Sequence, residues 1–398
     1  MRGTIWAALG AALLLAGSGR CEPPRQQEAD GYTRYELLAP DGHKFRIYYE
    51  VTATTPGATA FYNPIRPGSK ASDEEVLDRA TGRPLWFEEV DGTIAAAAGV
   101  EGAKAGNRFI KVSLARPVPS NGGGGRIEIN KTYEDAASYH EDGETIVFER
   151  PLGIKRNAVV LPAGYALVSC NYPSQIIRQA DGRIAVTFFN VTPGPAPLIL
   201  TARKAGLSQS ASSVRVDERA HQSRNIVYYL EAPETHAFAL THDYTETRVG
   251  SATYVNIVRA GSTVSNPSAR DLDTGQTLSS EVIRGDAVRR AEPEARDVDA
   301  STVAVLFHYA AIKPGESRRL RFAETYTDAE RYKLVGNELV WHRSLGRAEN
   351  AIVLPLGWTV TNCSVPATVT RTPDNRVRLD LLNPRNDEID VILTATRG

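Results

Sequence analysis

Arg376-Val377-Arg378-Leu379-Asp380-Leu381 alternates charged and apolar side chains, and 193 positions earlier Arg183-Ile184-Ala185-Val186-Thr187-Phe188 is again apolar at every second position. Period two puts one set of side chains on a core face and the other in water, which is the pattern of a half-buried strand. The same offset of 193 carries Pro40 onto Pro233, Asp78-x-x-Thr81-Gly82 onto Asp271-x-x-Thr274-Gly275, Leu161-Pro162-x-Gly164 onto Leu354-Pro355-x-Gly357, and Cys170 onto Cys363. One offset serves from Tyr35/Tyr228 to Lys204/Arg397 with no net insertion. The chain therefore reads as a tandem duplication of an all-β unit of about 170 residues, each large enough for its own core.

The boundaries follow from this. Unit 1 spans 33–204, residues 205–225 are a linker that is small, polar and flexible in its first part, and unit 2 spans 226–398. Turn dipeptides such as Asp41-Gly42, Asp91-Gly92, Asp142-Gly143 and Asp181-Gly182 cut the chain into short strands. Counting strands predicts two antiparallel, immunoglobulin-like β-sandwiches per unit, divided as 33–118 with 126–204 and as 226–311 with 319–398, the alternative being a single large sandwich per unit. Helix is expected only as single turns after Tyr133 and Tyr326, with Asp135 and Asp328 as caps. The copies diverge most at 93–107 and 286–300, which reads as a surface loop. Asn121-Gly122-Gly123-Gly124-Gly125 reads as a hinge or hairpin tip, and it lacks the Gly-Lys-Ser/Thr of a phosphate loop.

Residues 1–20 read as a secretory signal peptide: Arg2, a short apolar core from Ile5 to Ala16, then Gly17, Ser18 and Gly19. A lipoprotein signal would place a Cys where Cys21 stands, but Arg20 occupies a position that wants Gly or Ala. Ordinary cleavage is the expectation, and with it a secreted or periplasmic protein. No later stretch approaches the roughly 18 apolar residues of a membrane helix. Lys and Arg number 46 against 47 Asp and Glu, so no basic excess recruits nucleic acid. The preponderance of Arg over Lys and the abundance of Ala read as the bias of a GC-rich bacterial genome. Three Cys make no disulfide framework. Cys170 and Cys363 are expected as small buried hydrophobes, the sharper alternative being a bridge between the units.

Residues identical in both copies are candidates for shared structure. Tyr133-x-Asp135-x-x-x-Tyr139 and Tyr326-x-Asp328-x-x-x-Tyr332 are the most specific repeat, serving either to line a pocket or to form buried tyrosine corners. Arg150 and Arg343 are placed to pair with those carboxylates. His43 and His236 read as turn residues, and nothing has the spacing of a metal site or a bound cofactor. The copy-specific aromatics Phe61-Tyr62 and Trp86-Phe87 are candidates to stack on sugar rings. The expectation is an exported, non-catalytic binding or scaffolding protein, its partner a glycan or a cell-envelope protein. The alternative is a carbohydrate-active or other hydrolase with Glu88 or Asp135 as acid/base.

Overall fold

Residues 24–205, 214, 216–221 and 224–398 are described in the computed structural model. The signal segment 1–20, Cys21 and most of the early linker lie outside them. The described chain is nearly all β, as its period-two patterning requires. Residues 24–204 form sheets of eight, four and three strands, and residues 224–398 form sheets of ten and four. No sheet among the described residues mixes strands from the two halves.

The spine of each half is the same. Strand Glu28–Leu37 runs antiparallel to Lys44–Ala53, with Tyr35 opposite Ile47, and parallel to Arg156–Val160, with Tyr35 opposite Val159. In the second half Tyr228 stands opposite Leu240 and Ile352, each 193 residues on. One strand departs from that offset, in both of its pairings. Phe61 faces Val112, whereas Tyr254 faces Phe307, two residues beyond the position the offset gives. The divergent segment before strand Val303–His308 takes up two more residues, and the return to strand Arg318–Thr327 takes up two fewer. A slip of two is the smallest that keeps every side chain on its own face. Burial follows the slip: Phe109, Ile110 and Val112 match Ala304, Val305 and Phe307.

That divergent segment is not a simple loop. It contains the helices Gly92–Ala97, capped by Asp91 on Thr93 N, and Asp286–Ala291. The single helical turns expected after Tyr133 and Tyr326 are instead hydrogen-bonded turns, with Tyr139 N donating to Asp135 O and Tyr332 N to Asp328 O.

In each half one sheet runs across the boundary expected between sandwiches, with strand Arg318–Thr327 lying between Ala237–Glu246 and Thr263–Asp271 in the second. Strand Gly125–Glu134 lies between Lys44–Ala53 and Lys70–Asp78, so a cut between 118 and 126 passes through one sheet. It also passes through one apolar cluster, which runs from Tyr35 and Phe61 through Ile127 to Phe148 and Leu200. The described residues of the second half hold three clusters, one around Phe238, Trp341 and Leu393, one around Phe307 and Phe322, and a small one of Val288, Val298 and Ala304. Cys170 and Cys363 are free, partly buried thiols, so the bridge between units does not form.

The halves meet along a polar seam. Arg126 crosses to Asp273 with bonds of 2.5 and 2.9 Å, both side chains nearly inaccessible, and also reaches Ser317. Its counterpart Arg319 crosses the other way, to Asp30 at 3.3 Å. The glycine run expected as a hairpin tip lies in this seam: Gly124 N donates to Leu272 O, and a Cβ on Gly123 would sit 2.5 Å from Leu272 O. Only glycine allows that backbone approach. The last part of the linker is docked rather than loose. Arg219 donates to Asn383 O and Gly346 O in the second half, while Tyr32 donates to Glu218 and His221 meets Glu50 in the first.

Candidate functional site

A cleft of about 810 Å³ opens between the halves, but charges on its walls pair with each other: Lys155 with Glu349 at 2.5 Å and Arg378 with Asp380 at 2.7 Å. A different cavity of about 520 Å³, wholly within the first half, combines aromatic walls with convergent polar groups, the usual make-up of a small-molecule site. Tyr35, Tyr49, Tyr62 and Tyr133 line it, together with Asn63, Lys131, Arg66 and Arg150.

Four strands from two sheets build the centre of this pocket. Asn63 comes from Ala60–Ile65, Lys131 and Tyr133 from Gly125–Glu134, and Tyr35 and Tyr49 from the spine. Lys131 and Tyr133 lie two apart on one strand and so project from the same face. The Lys131 ammonium donates to Asn63 Oδ1 at 2.7 Å and stands 5.1 Å from the centre of the Tyr133 ring. Burial pushes it down to about 8 from the usual 10.5. It therefore remains a cation at neutral pH, held by one amide and one ring face. Tyr62 is fixed by Gln26, whose side-chain amide donates to Tyr62 O and accepts from Tyr62 N at 3.0 and 2.9 Å. Glu28, at the rim, has its carboxyl raised by burial against the bond it accepts from Tyr49 at 3.5 Å.

The equivalent centre in the second half has the opposite charge. Glu324 takes the place of Lys131, between Asn256 and Tyr326. Asn256 Nδ2 donates to Glu324 Oε2 and, at 2.9 Å, to Tyr326 Oη, which itself donates to Glu324 at 3.1 Å. The second carboxylate oxygen is buried without a partner, and burial pushes the carboxyl up to about 7 against the pull of Tyr326 and Asn256. An asparagine amide offers an acceptor on one side and donors on the other, so the same residue serves a cation in one half and a carboxylate in the other.

Of the residues singled out from sequence, Tyr62, Tyr133 and Arg150 line the pocket. Phe61 is a core residue and Phe87 packs partly buried against the same core. Trp86 is 73% exposed at a strand junction and is not among the pocket-lining residues. Glu88 pairs with Lys111 on an exposed strand face at 2.7 Å. Asp135 is a latch: it accepts from Ser69 and Ser138 hydroxyls at 3.2 and 2.8 Å and from Arg150 at 3.0 Å. Asp328 is the matching latch, accepting from Ser262 at 2.9 Å and from Arg331. Arg331, at the position of Ser138, takes over the ion pair there, and Arg343 lies instead over the rings of Tyr228, Phe238 and Tyr326. Tyr139 and Tyr332 are buried corners, donating to Leu38 O at 2.7 Å and to Glu231 O. His43 and His236 close the same corners against Tyr139 O and Tyr332 O at 3.0 and 2.8 Å, each with a left-handed φ.

Sequence reasoning passed over Lys131 and Glu324. It compared identities between the copies, and these two positions announce themselves by differing within an otherwise shared Asn/Tyr setting. Among the described residues no helix is long and apolar enough to cross a membrane, and no three His, Cys, Asp or Glu side chains converge on a point.

No protein-family model and no curated protein matches this chain. Solved structures resemble it weakly. An M1 zinc metallopeptidase from Deinococcus radiodurans aligns at 11% identity and a TM-score of 0.30, over 45% of this chain and 43% of the peptidase, so the alignment takes in less than half of that protein. A putative protease from Parabacteroides distasonis aligns over 94% of both chains at 10% identity and a TM-score of 0.26. Collagen adhesin from S. aureus covers 80% of this chain and 83% of its own at 8% identity and a TM-score of 0.18.

Proposed function

We propose that this chain is an exported, non-catalytic binding protein that holds a small polar ligand of the carbohydrate class in the tyrosine pocket of its first half. The observation that carries this reading is the Lys131–Asn63 pair at the centre of a cavity walled by four tyrosines. Tyrosine rings supply flat apolar surface for sugar C–H faces, and their hydroxyls, with the ammonium and the amide, supply hydrogen bonds to sugar hydroxyls. Export rests on the N-terminal signal pattern. Asp135, the acid/base candidate of the hydrolase reading, is not among the residues that line the pocket. Hydroxyl donors and Arg150 outweigh burial and draw the Asp135 carboxyl below its usual range, so it carries no proton to donate at neutral pH.

The test is a glycan array followed by titration calorimetry of the best binder. Retention without turnover, weakened at least about tenfold by Tyr62→Ala and by Lys131→Met, is the expected result. Product release that Glu88→Gln abolishes would replace this reading with the hydrolase.

A further inference from the structure

A third cavity, about 530 Å³, lies in the seam on the other side of the spine, and its chemistry is unlike that of the tyrosine pocket. Seven arginines line it, against two carboxylates, Asp30 and Glu50. The chain as a whole has a net charge of −1, so this is a local concentration of one sign. Most of these guanidiniums have partners. Arg79 pairs with Glu50 at 2.7 Å, Arg126 with Asp273, and Arg219 caps backbone carbonyls of the second half. Arg156 approaches Glu349 at 3.9 Å and Arg319 approaches Asp30.

Two remain. Arg347 makes no side-chain hydrogen bond or ion pair among the described residues, and its Nε is buried without an acceptor. Arg224 has no anionic partner among the described residues, and its guanidinium stacks 4.2 Å from the centre of the Tyr244 ring. Behind them the imidazole of His242 is 4% exposed, its Nε2 has no partner, and its Nδ1 meets Tyr254 Oη at 3.3 Å. Burial, and then the charges of Arg347, Arg224 and Arg319, push that imidazole down to about 3, so it stays neutral and relieves none of the positive charge.

Guanidiniums gathered at a shielded seam without matching carboxylates repel one another, and a buried N–H without an acceptor costs free energy. A ligand with several negative oxygens removes both costs, because guanidinium forks match tetrahedral oxyanions with paired hydrogen bonds. From the convergence of these side chains we infer that the seam is a binding site for a phosphate or sulfate group, with Arg224 and Arg347 as its free ligating residues. The cavity has room for such a group carried on a small molecule as well as for the inorganic ion. The site draws on both halves and on the docked linker through Arg219, so an occupant would fasten the halves together.

The experiment is titration calorimetry and thermal melting of the full chain with inorganic phosphate, pyrophosphate, sulfate, glucose 6-phosphate and glucosamine 6-sulfate, with chloride as the ionic-strength control. Expected is binding of at least one oxyanion at a Kd of about 1 mM or tighter, weakened at least tenfold by Arg347→Gln and by Arg224→Gln. Without added anion, Arg347→Gln should raise the melting temperature at low salt, because it removes repulsion and an unmet donor; a guanidinium with a purely structural role would lower it. Lys131→Met should leave oxyanion binding unchanged, which separates this site from the tyrosine pocket. Preference for the free ion or for the sugar-borne group identifies the source. No binding of any probe up to about 10 mM, or equal affinity in the Arg224→Gln/Arg347→Gln double variant, overturns the inference.

Discussion

At matching positions of the two halves, Lys131 and Glu324 sit on equivalent strands, next to equivalent asparagines and tyrosines, with opposite charge. The two residues keep the same register, opposite Ile47 and Leu240, and both are buried. What adapts is the amide: Asn63 turns its oxygen to the ammonium, and Asn256 turns its nitrogen to the carboxylate. A fold can therefore reverse the polarity of a buried centre with one substitution, provided its neighbour is amphoteric. The comparison also shows why the halves need not share a function. The cation faces the tyrosine cavity of the first half, and the carboxylate is held through one oxygen by Asn256 and Tyr326.

The seam offers the largest test of that comparison, because it uses equivalent arginines unequally. Arg126 makes a two-bond contact to a nearly inaccessible Asp273, whereas Arg319 reaches a partly exposed Asp30 through a longer contact. Arg126→Gln should cost about 3–5 kcal/mol, since it strands a buried carboxylate. Arg319→Gln should cost less. Urea unfolding of the two variants measures the difference, and equal losses would show that the halves brace each other symmetrically.

Next in size are the central charges. The folded-state pKa of Glu324 is raised from 4.5 to about 7, so its contribution to stability is complete below about 4.5 and is lost as pH rises through 7. Glu324→Gln should therefore stabilise the protein by up to about 3 kcal/mol above pH 7 and leave it unchanged near pH 4. Lys131 has the opposite dependence. Its folded-state pKa is lowered from 10.5 to about 8, so its contribution is complete above 10.5 and falls as pH drops through 8. Lys131→Met should stabilise at neutral pH, again by up to about 3 kcal/mol, with the gain vanishing toward pH 10.5. Denaturation midpoints across pH decide both, and a gain independent of pH would mean that packing rather than charge sets these sites.

Smallest is the latch. Ser138→Arg in the first half imports the arrangement of the second, where Arg331 holds the aspartate. A change within about 1 kcal/mol is expected, because Asp135 keeps its Ser69 and Arg150 partners. A loss of several kcal/mol would show that the two latches are not interchangeable.

Much of this arrangement is legible in the chain. The repeated corners follow from local rules: a proline turn, a histidine with positive φ, and a tyrosine that returns its hydroxyl to the backbone. The turns at Asp78 and Asp271 do as well, with Ala80 N donating to Asp78 and Asp273 N to Asp271. Local spacing could not reveal Arg126 facing Asp273 across 147 residues, or seven arginines from distant segments around one cavity. It also could not reveal the two-residue slip opposite Phe61 and Tyr254, since a slip of two leaves the alternation of each strand untouched.

The sequence by itself determined the all-β class, the recurrence of motifs at a fixed offset and the corner residues, because period-two burial and turn chemistry act over a few residues. The tertiary structure decided which strands share a sheet, which way each central asparagine turns, and that a nearly neutral chain gathers seven arginines around one seam cavity. Those outcomes depend on distances between residues far apart in the chain, which folding sets and spacing does not record.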